Sequence, residues 1–296
     1  MATLEAGARI SVKNIVYLTD FSECSHAAFP FVASIAHHYG AKVYALHVLT
    51  PKPGARAITA LEAPDRAPQA EMQRIESRLK DLAHEAVVQQ SAGVWPALDR
   101  AIKQHDVDLI VLGTHGHTAA QKFLLGSVAE EVFRRSPVSV LTIGPLVHTP
   151  LSNDPRFHCV LFATNFAPPS LAAVPCAVSM AQEHDARLIL LHVVRWCASG
   201  KEKDEEGSGL SIADAMYKLR KLVPEDSGLH SRPEALVRYG DAADQILEVA
   251  TERGADLIVL GVRSPEGRSG AAVHLEQSIE HRVAAHATCP VLTVRG

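Results

Sequence analysis

The sequence predicts an α/β protein made of two similar domains, each a parallel sheet covered by helices on both faces. Four strand-like segments of the first half recur in the same order in the second half. The stretches between them carry the apolar spacing of helices, and this alternation is typical of βαβ crossovers. A length of 296 residues also suits two domains of about 150 residues each.

The internal repeat is the strongest of these observations. The segment Asp-Leu-Ile-Val-Leu-Gly occurs at both 108–113 and 256–261. The other matching segments are 14–21 with 159–166, 43–49 with 188–194, and 138–143 with 289–294. Both halves are therefore expected to have one fold.

The elements of the first half follow from its apolar runs and their spacing. Strands are predicted near 13–19, 42–49, 108–113 and 138–143, and helices near 22–38, 69–88, 96–105 and 126–135. A further strand is expected before the third helix. It is clear at 235–239 in the second half, whereas its first-half candidate, 86–91, could equally finish the preceding helix.

Proline-rich and charged stretches indicate the connections. The polar, Pro-containing segment 144–155 predicts domains at 1–146 and 155–296, joined by a linker at 147–154. The segments 51–68 and 199–209 follow the second strand of each half. Each is expected to be a solvated loop or, alternatively, a flap over a ligand, because open α/β sheets bind ligands at the carboxyl ends of their strands.

Composition argues against several partners and chemistries. A formal net charge of −4 gives no electrostatic footprint for nucleic acid or an anionic membrane, and no apolar run has the length of a membrane span. The first residues lack a secretory signal pattern, so a cytoplasmic protein is expected. The five cysteines form no Cys-x-x-Cys pair and are expected to be reduced thiols, and the histidines show no metal-binding spacing.

Closely spaced glycines follow the apolar run that ends at Leu112. The pattern is Gly113-x2-Gly116-x9-Gly126-Ser127. Glycines here allow close backbone approach, and a Gly-Ser pair at a helix start directs amide groups toward an anion. The alternative is that the glycines only permit a turn and that the serine only caps a helix. The segment is neither a Walker A loop nor the three-glycine dinucleotide fingerprint.

These residues resemble the universal stress protein family, and the chain resembles a tandem member of it. The resemblance rests on 19–22 after the first strand, 46–48 at the second, and the glycine motif through Val128. It implies two flavodoxin-like domains of the adenine-nucleotide alpha hydrolase-like kind, each with a five-stranded parallel sheet of order 3-2-1-4-5. It also implies dimer-like pairing through the last strands, 138–143 with 291–295, and roles in stress survival and signalling.

The resemblance implies a site for ATP, with Mg²⁺ bridging its phosphates. It places Asp20 and Val48 around the adenine and ribose. The phosphate side would be lined by Leu112, Gly113, Gly116, Gly126, Ser127 and Val128. From local chemistry alone, Asp20 could instead cap the first helix and Val48 could be a core residue. His115 and His117 could touch phosphates, although a solvated loop histidine is the simpler interpretation.

The second half departs from this pattern. Asn165 replaces Asp20, Ser264 replaces Gly116, and Gln277-Ser278 replaces Gly126-Ser127, with three extra residues before Ser278. A side chain at 277 obstructs close backbone approach. The second half is therefore expected to keep the fold and to lose the nucleotide, with a different small ligand left open.

The sequence thus favours an ATP-binding tandem universal stress protein that acts as a nucleotide-dependent sensor or regulator. Its protein partner is not identified, and association of two chains into a homodimer stays open. The alternatives are a slow ATPase or nucleotidyl-transfer enzyme of similar fold, and a structural interaction protein without a ligand. The glycine motif contains no Lys, Arg or paired carboxylate for phosphoryl transfer, so no catalytic residue is assigned.

Overall fold

A computed structural model describes residues 10–51, 66–115, 125–147, 156–196, 202–203, 211–264 and 278–296. The first half contains β1 (Asn14–Leu18), α1 (Glu23–Tyr39), β2 (Lys42–Leu49), α2 (Arg66–Arg78), β3 (His84–Gln90), α3 (Val94–Gln104), β4 (Leu109–Gly113), α4 (Ser127–Arg135) and β5 (Ser139–Ile143). The second half contains β6 (Cys159–Ala163), α5 (Pro168–Ala172), α6 (Val174–His184), β7 (Arg187–Trp196), β8 (Glu202–Lys203), α7 (Ile212–Leu222), β9 (Glu234–Tyr239), α8 (Ala242–Arg253), β10 (Leu257–Val262), α9 (Ile279–His286) and β11 (Val291–Arg295). Most of the linker and of the two predicted loops or flaps lies outside the described residues.

The strand β3 lies where the sequence left two interpretations open. It pairs in parallel with β2 from Val43–His84 to Leu49–Gln90. The helix predicted near 69–88 is therefore too long, since α2 ends at Arg78. Half-buried and exposed residues alternate along most of β3, and this period of two is typical of a strand rather than a helix. Its two valines also favour a strand.

The strands of each half are parallel and have one order. The first half has β3-β2-β1-β4-β5, and the second half has β9-β7-β6-β10-β11. Both orders read 3-2-1-4-5 when the long strands of a half are numbered along the chain. Among the described strands, β8 pairs with the end of β7 and runs antiparallel to it.

Helices cover both faces of this sheet. One core cluster contains buried side chains of α1, α2, α6 and α7, and the other contains those of α3, α4, α8 and α9. The central strands β1 and β4 are almost wholly apolar and buried, as parallel strands covered on both faces must be. Each apolar layer continues from one half into the other. Within the described ranges, no helix is both long and apolar enough to cross a membrane.

The two halves are joined through their last strands, which confirms the predicted pairing. β5 and β11 run antiparallel, with Leu141 opposite Leu292 at the centre. On either side, Thr142 Oγ1 donates to the carbonyl of Val291 at 3.1 Å, and Thr293 Oγ1 donates to that of Val140 at 3.2 Å. Both threonines are buried. These reciprocal hydrogen bonds make the junction nearly two-fold symmetric. The pairing of β5 with β11 also protects two sheet edges that would otherwise be exposed.

A second contact between the halves lies on one face of the sheet. The Phe31 and Phe157 rings stack with centroids 6.1 Å apart. His38 of α1 lies against His184 of α6 at 4.4 Å between ring centroids. The Tyr39 hydroxyl is 3.2 Å from Ser179 Oγ. Helix packing therefore reinforces the strand pairing.

Buried thiols make the free energy of unfolding depend on pH in the alkaline range. Burial raises the pKa of Cys176 and Cys289 from 9.0 to about 12 each. Between about pH 9 and 12 these thiols stay protonated in the folded state and ionise on unfolding, so the free energy of unfolding falls as pH rises. Each group contributes about 1.4 kcal/mol per pH unit, or about 2.7 kcal/mol for both.

Urea unfolding at pH 8, 9 and 10 measures this slope. The Cys176→Ala variant should have a slope smaller by about 1.4 kcal/mol per pH unit, because the contribution of that thiol is gone. An unfolding free energy that does not change between pH 9 and 10 would contradict the assignment. All four cysteines in the described part are free thiols, and Cys197 lies outside it.

Candidate functional site

The predicted site residues on the strands of the first half lie at one edge of the sheet. Asp20 follows β1, Val48 lies near the end of β2, and Leu112 and Gly113 end β4. Because β1 pairs with both β2 and β4, these three carboxyl ends are neighbours. This is the edge where open α/β sheets bind ligands.

The start of α4 lies at the same edge. The amide of Gly126 donates to the carbonyl of Thr114 at 2.7 Å, which fixes α4 next to the end of β4. Gly126 is the N-cap residue and, as a glycine, makes no side-chain cap hydrogen bond to the first turn. Ser127 and Val128 in that turn are exposed. The positive end of α4 therefore offers amides and a hydroxyl to an anion. Gly116 lies outside the described residues.

Asp20 shapes the turn after β1 but does not cap α1. The cap is Ser22, whose Oγ accepts a hydrogen bond from the amide of Ser25. Asp20 Oδ1 accepts one from the amide of Ser22 at 3.0 Å. The Asp20 residue is exposed. A carboxylate accepts several hydrogen bonds, so this one can hold the turn and also face a ligand.

The turn itself contains a strained residue that the sequence did not indicate. Phe21 has φ of 62°, a left-handed conformation that is rare for a bulky residue. Its ring stacks on His47 at 4.3 Å between centroids, and His47 Nδ1 donates to the carbonyl of Thr19 at 2.8 Å. Phe166 repeats the conformation in the second half with φ of 63° and packs on His192. The positive φ therefore belongs to the fold and not to the glycine motif.

Gly113 is required by packing. A Cβ at this position would lie 2.7 Å from the carbonyl carbon of Cys24 and 2.8 Å from the amide nitrogen of Ser25. Gly113 therefore allows the start of α1 to pack closely against β4. Gly261 has the same role in the second half, where a Cβ would lie 2.2 Å from the carbonyl oxygen of Pro169. The sequence interpretation of this glycine as space for a phosphate missed that contact.

Other predicted residues divide between the core and the edge. Leu112 is buried in the core, so only its backbone is available at the edge. Val48 is half-buried and packs against the same core cluster. His115 is also buried, with Nδ1 2.9 Å from Thr114 Oγ1, so its interpretation as a solvated loop histidine is wrong. His117 lies outside the described residues.

The equivalent edge of the second half has a different helix start. Ser278 caps α9, since its Oγ accepts from the amide of His281 at 3.2 Å. Glu280 adds a carboxylate in the first turn. Asn165 keeps the turn that Asp20 forms, because its Oδ1 accepts from the amide of Ala167 at 3.0 Å. The turn is retained, while the start of α9 already has a side-chain partner; a first-turn carboxylate is common to both halves, since α4 has Glu130 there.

Comparison with known proteins agrees with this duplicated architecture. The family model described as "Universal stress protein family" matches residues 11–144 and 156–295. A universal stress protein of Mycolicibacterium smegmatis is 27% identical over 298 residues, covering 93% of this chain and 95% of its own length. One from Methanocaldococcus jannaschii is 34% identical over 139 residues, covering 44% of this chain and 81% of its own length.

A solved structure supports the fold at full length. The crystal structure of a universal stress protein from Archaeoglobus fulgidus aligns with a TM-score of 0.69 at 19% identity, covering 97% of this chain and 99% of that one. At this identity the likeness shows the fold alone. Since the family model matches almost the whole chain in two consecutive segments, the chain belongs to the universal stress protein family and contains two of its domains in tandem.

Proposed function

We propose that the chain is an ATP-binding universal stress protein that acts as a nucleotide-dependent sensor or regulator. The observation that carries this proposal is the uncapped start of α4 beside the exposed Asp20 at one sheet edge. Unpaired amides at a helix N-terminus attract phosphate, and an exposed carboxylate accepts hydrogen bonds from ribose hydroxyls. The two features together suit a molecule with a phosphate end and a sugar end.

In this proposal, Gly116, Gly126, Ser127 and Val128 contact the phosphates, and Asp20 and Val48 contact the ribose and adenine. Gly113 and Leu112 contribute backbone at the end of β4. The described residues contain no group of three His, Cys, Asp or Glu side chains that could hold a metal ion. Mg²⁺ would bridge the phosphates of the nucleotide and keep several water ligands, an environment that it prefers. The proposed domains are 1–146 and 155–296, with the linker at 147–154.

Slow ATP hydrolysis is the second candidate function. The glycine motif offers little for it, because it contains no Lys, Arg or paired carboxylate to stabilise phosphoryl transfer. Regulation needs only that the nucleotide favours one state of the protein over another. Phosphate release measured beside binding separates the two candidates.

Calorimetric titration with Mg-ATP tests the proposal. Saturable binding is expected in the wild type and complete loss in Gly126→Trp, because the indole covers the start of α4. The fold should survive, since φ of −62° at Gly126 suits any residue. No detectable binding at millimolar nucleotide would disprove the assignment.

Asp20→Asn is the matched variant for the sugar side. Asn165 shows that an asparagine forms this turn, so the melting temperature should not change. Loss of a charge-assisted hydrogen bond should weaken ATP binding about tenfold or more. An ATP affinity equal to that of the wild type would show that the Asp20 carboxylate does not contact the nucleotide.

A further inference from the structure

The second half contains a cleft at the sheet edge equivalent to the candidate ATP site. Its cavity volume is about 90 Å³, or about 650 Å³ when the open mouth is included. Residues at the ends of β6, β7 and β10 and at the starts of α8 and α9 line it, among them Ala163, Asn165, His192, Val193, Ile246 and Glu280. We call this space the second-half cleft.

A small residue opens the floor of the second-half cleft. Ala163 ends β6 between Leu191 and Leu260. The first half has Leu18 at the same register position, and that side chain is buried. The second half therefore has a smaller side chain than the first half at a matched backbone position. An enclosed cavity of about 150 Å³ holds a benzene ring, so this smaller but open one can bury part of a flat ring while the rest of a ligand lies in the mouth.

The charge of the second-half cleft is opposite to what a phosphate requires. Glu280 is the only charged side chain among its described lining residues. Counted back from the matching C-cap residues Ser136 and Ala287, Glu280 stands in the place of Ala129. A carboxylate therefore lies where the first half has a small apolar side chain next to its proposed phosphate-binding amides. Such a group repels a phosphate in a partly desolvated cleft.

The nearby cation does not compensate for Glu280. Arg282 donates to Asp241 at 2.8 Å and to Asp244 at 2.7 Å. Burial on its own raises the pKa of Asp241, yet the amide of Asp244 and the guanidinium of Arg282 bring it below its usual value. The guanidinium is thus engaged by two carboxylates.

The remaining lining suits an uncharged molecule with polar groups. Val193, Ile246 and Leu260 provide apolar walls. The Asn165 amide takes the place of the Asp20 carboxylate and can both donate and accept hydrogen bonds. Ligand sites commonly combine apolar walls with a few placed polar groups.

We propose that the second-half cleft binds an uncharged nucleoside and excludes its phosphorylated forms. The choice of a nucleoside rests on the function proposed for the first half, whose sugar-side turn this half retains. The cavity and the charge of Glu280 are independent of that function. One chain would then carry a nucleotide site and a nucleoside site.

Titration of adenosine and AMP into the Gly126→Trp variant tests this proposal with the phosphate side of the first site covered, and loss of the adenosine signal when Ala163→Leu is added assigns that signal to the second-half cleft. Adenosine should bind with one site per chain and AMP at least tenfold more weakly. Ala163→Leu restores the first-half residue and fills the cavity, so it should weaken adenosine binding at least tenfold without lowering the melting temperature. Glu280→Gln should reduce the preference for adenosine over AMP about tenfold.

The outcomes are distinct from those of ATP binding to the wild type. No saturable adenosine binding at millimolar concentration would overturn the proposal, even if ATP binds the first half. AMP binding as tight as adenosine binding, or adenosine binding unaffected by Ala163→Leu, would also overturn it. If ATP fails to bind the wild type while adenosine shows the expected pattern, only the function proposed for the first half is lost.

Discussion

Replacing Gly113 by alanine is expected to destabilise the protein by about 3 kcal/mol, which is the upper part of the range for overpacking a core. The added Cβ would lie 2.7 Å from a backbone carbon of α1. Backbone cannot rotate away as a side-chain tip can, so α1 must shift from β4. Gly261→Ala should cost at least as much, because its Cβ would lie 2.2 Å from the carbonyl oxygen of Pro169.

Gly93→Ala is the matched control for these two variants. Gly93 has φ of −167°, and the nearest atom to an added Cβ is Pro96 Cδ at 3.5 Å, an ordinary contact. Its free energy of unfolding should stay within about 0.5 kcal/mol of the wild type. Urea unfolding of the four proteins makes the comparison. If Gly113→Ala is as stable as Gly93→Ala, the packing role assigned to Gly113 is wrong.

Titration with ATP is expected to give one site per chain, in the first half. In the second half the Ser278 hydroxyl already occupies an amide of α9, and Gln277 stands in place of Gly126. Loss of two charge-assisted hydrogen bonds, each about 1.5–3 kcal/mol, weakens binding by a factor on the order of a hundred or more. A micromolar site would then have a dissociation constant of about 0.1 mM or more, so it would be nearly empty at micromolar ATP.

Equilibrium dialysis with a measured active fraction determines this stoichiometry. A value near one, abolished by Gly126→Trp, is the expected result. A value near two, or residual binding of unchanged affinity in that variant, would show that the second half also holds ATP. The capped start of α9 would then be no obstacle to phosphate.

Repetition made much of the fold predictable from sequence. A segment that occurs twice with the same apolar pattern, such as 108–113 and 256–261, identifies a buried strand more reliably than either copy alone. The pairing of β5 with β11 could be predicted for the same reason, together with the family resemblance. β3 was ambiguous because its valines suit either a strand or the end of a helix, and only pairing with β2 decides between them.

The sequence predicted where the candidate site lies in the fold, but not why particular residues are needed there. The glycine spacing identified the sheet edge, but the need for Gly113 depends on α1, which is distant in sequence. The left-handed Phe21 has no signal in a single sequence, because its conformation is maintained by contacts with His47. Motif comparison also overlooked the change from Leu18 to Ala163, since a core residue carries no chemistry of its own.

The antiparallel junction between β5 and β11 places both partners of a two-fold arrangement on a single polypeptide. In a dimer of identical subunits, every substitution appears twice, so a change that improves one site alters both. A tethered pair is free of that constraint, and dilution cannot separate it because association is intramolecular. The two halves can therefore diverge in what they bind while neither loses the neighbour that protects its last strand.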